Sequence, residues 1–304
     1  MACHQVAPER LAHALDPGGT RGRFVALWNS LHEDGLEIAT IRRMADELLD
    51  HLGALTTGAD PTLTGTDARL ALRTAAECSF GVLDLGTYPR GDFTVDFPLI
   101  NQTLDSDELR FGDTVDFAPT ADTWIDVFAM CVISGLVWDG SYRCYIVLAE
   151  NYAPSVRKGL PHSDLTSVSA PASLAAMDAL CRYANVPDLP HLAPVPAGTP
   201  ALRKPDAEKR AAATRALDSV GELSPDQRLL RALLTDDRQT FEQALTTRLA
   251  HHRDITPADA PPRTLLPVVP IALAALAVQL HDWEPGTTSG YLPAGLVQPR
   301  AVAA

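Results

Sequence analysis

Apolar residues recur at three- and four-residue steps along most of the chain, the spacing of helices that bury one face. In 38–54 the stripe is Ile38, Ile41, Met44, Ala45, Leu48, Leu49 and Leu52, and Gly53 closes it. A second stripe over 67–83 sets Leu70, Ala71, Thr74, Cys78 and Val82 on one face, with Thr66 as the expected N-cap. The pattern also predicts helices at about 21–33, 172–183, 206–220, 225–235 and 269–281. One more, over 238–252, begins near Asp237 and turns Phe241, Ala244, Leu245 and Leu249 inward. A strongly apolar helix capped by Thr120 or Asp122 runs to about Val137, and another spans about 142–151 after the Asp139-Gly140 turn. The first twenty residues end in Asp16-Pro17-Gly18-Gly19 and read as a loose arm with one short helix, and 154–169 reads as loop.

The period changes between 92 and 118. Phe93-Thr94-Val95-Asp96-Phe97 alternates at period two and predicts a strand. Leu109-Arg110-Phe111 and Thr114-Val115-Asp116-Phe117 flank Gly112-Asp113 and predict a tight hairpin. The expected fold class is therefore mainly α, a bundle-like packing of many helices with a small β-hairpin element around 93–117. Six prolines between Val186 and Pro205 predict an extended connector, because proline removes donors and resists helix. It would join a helical lobe at 21–185 to a C-terminal helical lobe at 206–300, the two packed as one domain. No fixed-period repeat is present.

Composition sharpens this picture. The 304 residues are 46% hydrophobic and only 6% aromatic, which favours packed helices over a sandwich or barrel. The longest apolar run, Leu265 to Val278, is broken by Pro267 and Pro270, is too short to span a bilayer and reads as a buried helix. The first residues carry no basic-then-apolar signal pattern, so a cytoplasmic location without membrane contact is expected. Five cysteines at wide, irregular spacing without a Cys-x-x-Cys pair read as reduced thiols.

Net charge is −13, and it is concentrated. From Gly91 to Asp126 nine acids (Asp92, Asp96, Asp105, Asp107, Glu108, Asp113, Asp116, Asp122, Asp126) face one base, Arg110. Such a balance argues against nucleic acid as a direct ligand, which needs a basic footprint. It suits a basic protein partner, because complementary fields speed encounter and reject wrong partners.

The chain lacks the signatures of common catalytic sites: no G-x-G-x-x-G, Walker loop, G-x-S-x-G elbow or H-E-x-x-H. Asp122 and Asp126 lie four apart on one helix face with Trp124 nearby, a pairing that can serve acid–base chemistry. Acids in a first helical turn are also favoured by the macrodipole alone. His162-Ser163-Asp164 are triad residue types in succession, but sequence neighbours point apart. His251-His252 lie near a helix C-terminus, where histidine meets the dipole favourably, and lack metal-ligand spacing with a second cluster. No cofactor and no metal are expected.

The C-terminal third supplies a resemblance. Leu229-Leu230-Arg231-Ala232-Leu233-Leu234, Asp236-Asp237 and Phe241-Glu242-Gln243-Ala244-Leu245 lead to His251. Then follow Leu266-Pro267-Val268-Val269-Pro270-Ile271-Ala272-Leu273-Ala274-Ala275-Leu276-Ala277 and Ser289-Gly290-Tyr291-Leu292-Pro293-Ala294-Gly295-Leu296-Val297. This order resembles the immunity protein 49 family of bacterial polymorphic-toxin systems, in which a helix precedes a Pro-apolar helix and a Tyr-Leu-Pro ending closes the domain. The likeness is clearest over 225–298, reaches the Trp124–Gly135 helix and the hairpin before it, and departs over 139–205. It implies a mostly helical protein that binds and blocks a cognate toxin. Together with the acidic window it points to a basic toxin met by Asp105, Asp107, Glu108, Asp113 and Asp116, with Phe111 and Trp124 as aromatic anchors.

A different reading uses the same scaffold as an enzyme or a small-molecule-binding accessory protein of specialised metabolism. Its pocket would collect Asp122, Trp124, Asp126, Trp138, Arg143 and Cys144 from two consecutive helices. A deep pocket joining these six would favour it, whereas an acidic face would favour toxin binding.

Overall fold

The computed structural model describes residues 1–33, 37–88, 93–105, 118–138, 147–160, 165–185, 201–284 and 286–298. The fold is mainly helical, with one small antiparallel sheet. The first four helices are α1 (Pro8–Leu15), α2 (Pro17–Glu33), α3 (Ile38–Leu55) and α4 (Thr66–Thr87). Strands β1 (Thr94–Phe97) and β2 (Gln102–Asp105) follow. Next come α5 (Ala121–Ser134), α6 (Ala153–Lys158), α7 (Pro171–Cys181), α8 (Ala207–Ser219) and α9 (Pro225–Leu234). The chain closes with α10 (Arg238–Ile255), α11 (Val268–His281) and the single turn α12 (Ala294–Val297).

Helix α5 is the hub. Apart from Asp122 and Asp126 on one edge it is apolar on its remaining faces, the pattern of a helix largely surrounded by protein, and it packs on α4, α7 and α11. Thr120 caps it in a reciprocal box with Thr123, and Gly135 ends it in the left-handed region at φ 79°. Helix α11 is apolar all round in the same way and packs on α5 and α9. With the preceding 3-10 turn it forms a 20-residue stretch, Pro262–His281, that by length and composition is long enough to cross a bilayer. Ile271 to Ala277 are all buried here, so the stretch serves as a core helix of this fold. Helix α4 also flanks α5, and α3 packs on the far side of α4. The 3-10 turn Pro262–Leu265 docks on α3, where a Cβ at Gly53 would lie 2.1 Å from the Pro262 carbonyl oxygen. Asp50 grips the same turn, accepting from the Arg263 backbone N–H at 2.8 Å and its guanidinium at 2.7 Å.

Several expectations change. Gly65 is the N-cap of α4 and Thr66 its first residue, because the Asp60 carboxylate accepts from the Thr64 and Gly65 N–H groups and sets the turn one residue earlier. The strand at 94–97 forms and buries Val95 and Phe97, but its partner is 102–105, a stretch the alternation did not mark. The hairpin expected over 109–117 lies outside the described residues, as does the first half, 142–146, of the helix expected at 142–151. Its second half is a π-helical turn, Val147–Tyr152, which runs directly into α6. Residues 153–158, read as loop, are helical because Pro154 falls in the first turn, where a missing N–H costs no bond. Residues 165–170 have no regular secondary structure and are pinned by Ser167 Oγ donating to the Pro119 carbonyl (2.7 Å) and Ser169 Oγ accepting from the Ala121 N–H (2.9 Å).

The first residues, expected as a loose arm, are tied down. The Met1 ammonium donates to the Thr288 carbonyl at 2.7 Å, and the His4 N–H donates to the Tyr291 hydroxyl at 2.8 Å. Of the proline-rich stretch, residues 186–200 lie outside the described residues, but its ends meet. Asn185 donates to the Ala201 carbonyl, Arg203 to the Tyr183 carbonyl, and Ala184 bridges Leu202. The chain therefore returns to the place it left, and α7 packs directly on α8.

Candidate functional site

Within the buried helix α5, only Asp122 and Asp126 are exposed. One turn apart, they look into an open groove of about 520 Å³ between α3, α4, α5 and the start of α11. Leu49, Val82, Val127 and Met130 make its floor apolar, and Arg42 and Asp46 from α3 stand opposite the pair. A smaller cavity of about 120 Å³ continues past Asp122 and Asp126 to Asp226 and Gln227 at the N-terminus of α9. Four carboxylates from three helices thus border one channel.

Their partners differ. Asp226 is held by Arg248 through two bonds of 2.5 and 3.1 Å, and Asp46 lies 3.5 Å from the Arg263 guanidinium. Asp122 and Asp126 form no salt bridge among the described residues. The side chain of Asp126 reaches solvent, but the groove walls crowd it on its other sides. That desolvation, with the charges of Asp122 and Asp226 added and Arg42 opposing, pushes its carboxyl up to about 6. The channel is therefore short of positive charge, and an added cation would be drawn to Asp126.

Other side chains that carry reactive chemistry are placed elsewhere. Burial pushes the Cys3 thiol up to about 11 and Cys181 to about 12, with Cys78 higher still, so these thiols stay protonated near neutral pH. His281 lies in a buried chain: Tyr183 OH meets its Nε2 at 3.0 Å, and its Nδ1 meets Asp236 Oδ1 at 2.8 Å. An ionised carboxylate only accepts, so Nδ1 carries the proton and Nε2 accepts from Tyr183. Lys204 and Arg210 close on the same carboxylate at 2.7 and 2.9 Å. Tyr183 is fully buried, and this Asp-His-Tyr series ties the turns just after α7 and α9 to the end of α11, with only its Asp236 end partly exposed. No group of three or more metal-ligating side chains occurs among the described residues.

Of the residues expected in an alternative pocket, Asp122 and Asp126 share the groove. Trp124 is buried behind them, stacked on Phe128 at 5.3 Å with its Nε1–H donating to the Leu148 carbonyl at 2.9 Å. Trp138 sits in a 3-10 turn against the core and does not line the groove. Arg143 and Cys144 lie outside the described residues. So do Asp107, Glu108, Phe111, Asp113 and Asp116 of the acidic surface, whereas Asp105 closes β2 opposite Thr94. Asp46 and Asp226 were not marked by sequence. Each sits on a helix of its own, and Asp226, following the Ser224-Pro225 cap, reads locally as an ordinary first-turn acid.

Comparison with known families now bears on this geometry. The sequence pattern of the family described as Immunity protein 49 matches residues 60–296, well over half of the chain. The chain belongs to that family. The match takes in α4 to α12 and includes the 139–205 stretch that had looked divergent, so every groove residue on α4, α5, α9 and α11 is within the immunity-family part. Arg42 and Asp46 on α3 precede it. Neither the curated proteins nor the solved structures yield a match.

Proposed function

We propose that this immunity-family protein binds and neutralises a cognate toxin of basic character in the cytoplasm, receiving basic side chains of the toxin in the groove around Asp122 and Asp126. The family match carries the first half of this reading, because immunity proteins are the toxin-directed partners of such systems. The second half rests on the groove. A helix otherwise enclosed by protein opens to solvent at two carboxylates without a salt bridge among the described residues, in a chain of net charge −13. Basic side chains entering there would replace lost water with ion pairs, and the apolar floor of Leu49, Val82 and Met130 would cover their stems. The acids of the 91–126 window add to the negative charge that would steer a basic partner to this protein.

The test is binding to the toxin encoded beside this gene, measured at several salt concentrations. Asp122→Asn with Asp126→Asn leaves the fold intact, because both side chains are exposed. The double variant should bind about 10-fold more weakly with a shallower salt dependence, and should protect cells less well. Unchanged affinity and unchanged salt slope would remove the groove from the interface. A cognate toxin that is acidic would overturn the charge reading itself.

A further inference from the structure

A second cavity, of about 200 Å³, lies between α10, α11 and the segment that follows α11. It opens on a different face of α11 from the groove: Val269 and Leu273 border the acidic channel, whereas Ala274, Ala277 and Val278 line this cavity. Its floor is apolar, with Leu245, Ala274, Ala277 and Val297 all buried. Phe241 and Trp283 form one wall, their ring centroids 5.6 Å apart and their planes inclined at 51°. The rim is polar, and the two charged residues that line the cavity are both glutamates, Glu242 and Glu284.

Those glutamates differ in how they are held. Glu242 Oε1 accepts from Arg238 Nε at 2.7 Å, one turn back on α10. Gly286 presses on the same carboxylate, so closely that a Cβ there would come within 2.4 Å of both oxygens. Glu284 is exposed and forms no salt bridge among the described residues, although its charge reaches Arg238. The cavity thus combines an apolar interior, two aromatic faces and a polar rim of hydroxyl and amide groups whose charged members are both carboxylates.

We infer that this cavity binds an amphiphilic organic cation: one apolar ring or an aliphatic body of similar size, carrying a single ammonium group. An apolar cavity of about 150 Å³ holds a benzene ring, so the volume here takes a ring with a short chain. The ring lies on Leu245, Ala277 and Val297. The ammonium reaches the rim, where Glu284 supplies opposite charge and Trp283 a π face. This site is independent of toxin binding and would stand if the groove proved not to be the interface.

The experiment uses the full chain labelled with 5-fluorotryptophan and followed by fluorine NMR, with phenethylamine as the probe and phenethyl alcohol as its neutral counterpart. The Trp283 resonance, assigned with Trp283→Phe, should shift saturably with amine while those of Trp28, Trp124 and Trp138 stay in place. The alcohol should bind at least about 5-fold more weakly. Glu284→Gln, a change at an exposed side chain, should bring the amine down to the level of the alcohol. Ala277→Leu should fill the floor and weaken both probes at least about 10-fold. No saturable shift up to about 10 mM amine would overturn the site. Equal binding of amine and alcohol would overturn the cationic class.

Discussion

Replacing Asp236 by Asn removes the charge on which Lys204, Arg210 and His281 converge while keeping the shape of the side chain. Asparagine also tolerates the left-handed backbone at this position, φ 60°, so the effect reports lost electrostatics. Burial pushes the Asp236 carboxyl up, but the hydrogen bonds from Lys204 and His281 and the charge of Arg210 outweigh it and hold it below the usual carboxylate range. Each charge-assisted hydrogen bond is worth about 1.5–3 kcal/mol, and breaking a fully buried pair costs about 3–5 kcal/mol. The Asp236 side chain is 25% exposed and that of Lys204 33%, so both can partly rehydrate, whereas Arg210 at 13% cannot. The expected loss is therefore about 2–3 kcal/mol at pH 7, read as a fall of roughly 4–6 °C in Tm or as a lower urea midpoint. A folded-state value held low contributes stability that is complete above the unfolded carboxyl value, about 3.9, and is lost as pH falls through the folded value. The gap between the two proteins should hold from pH 7 to about 4 and close in stronger acid. A loss below about 0.5 kcal/mol, or a gap that stays constant down to pH 3, would show that the cluster does not bind α7, α9 and α11 as described.

Three further outcomes follow from other contacts. Gly53→Ala places a methyl against the Pro262 carbonyl and should cost about 2–3 kcal/mol by urea unfolding, and near-neutral behaviour would mean that α3 and the 3-10 turn do not approach so closely. Trp124→Phe strands the Leu148 carbonyl and should cost about 1–2 kcal/mol, whereas an unchanged unfolding midpoint would deny that bond. Asp126 has its folded value raised, so ionisation opposes folding as pH climbs through about 6. Asp126→Asn should therefore be slightly more stable than the parent at pH 7.5 and indistinguishable from it below about pH 4, and the reverse order would contradict the crowding of this carboxylate.

Helix existence and burial were legible wherever the 3.6-residue period was strong. The Ile38–Leu52 stripe, the strongly apolar helix after Thr120 and the helix at 225–235 each appear where expected, because local pattern and tertiary burial agree there. Boundaries failed where a local hydrogen bond or a proline moved them, as Asp60 does ahead of α4 and Pro154 does in α6. Strand β2 was missed because Gln102-Thr103-Leu104-Asp105 buries one large apolar side chain, too little for a period to show. The groove was half legible: the i,i+4 spacing of Asp122 and Asp126 implies a shared face. Asp46 and Asp226 lie far from that pair in sequence, and only the packing of α3 and α9 beside α5 brings them to it. The Asp236-His281-Tyr183 chain was illegible for the same reason, with its members drawn from the end of one helix and the turns after two others.

The docking of α3 on the turn at Pro262–Leu265 has a consequence for how the chain is made. Gly53 and Asp50 leave the ribosome long before their partners at 262 and 263, by roughly 10–40 s at about 5–20 residues per second. The Thr288 and Tyr291 groups that hold Met1 and His4 arrive later still. Through that interval the inner side of the N-terminal layer is bare, and no amount of local helix formation can cover it. Folding should therefore finish only after residues 262–291 have been made, with a nascent chain that depends on chaperones to shield α3 and α4 until α11 closes over α5.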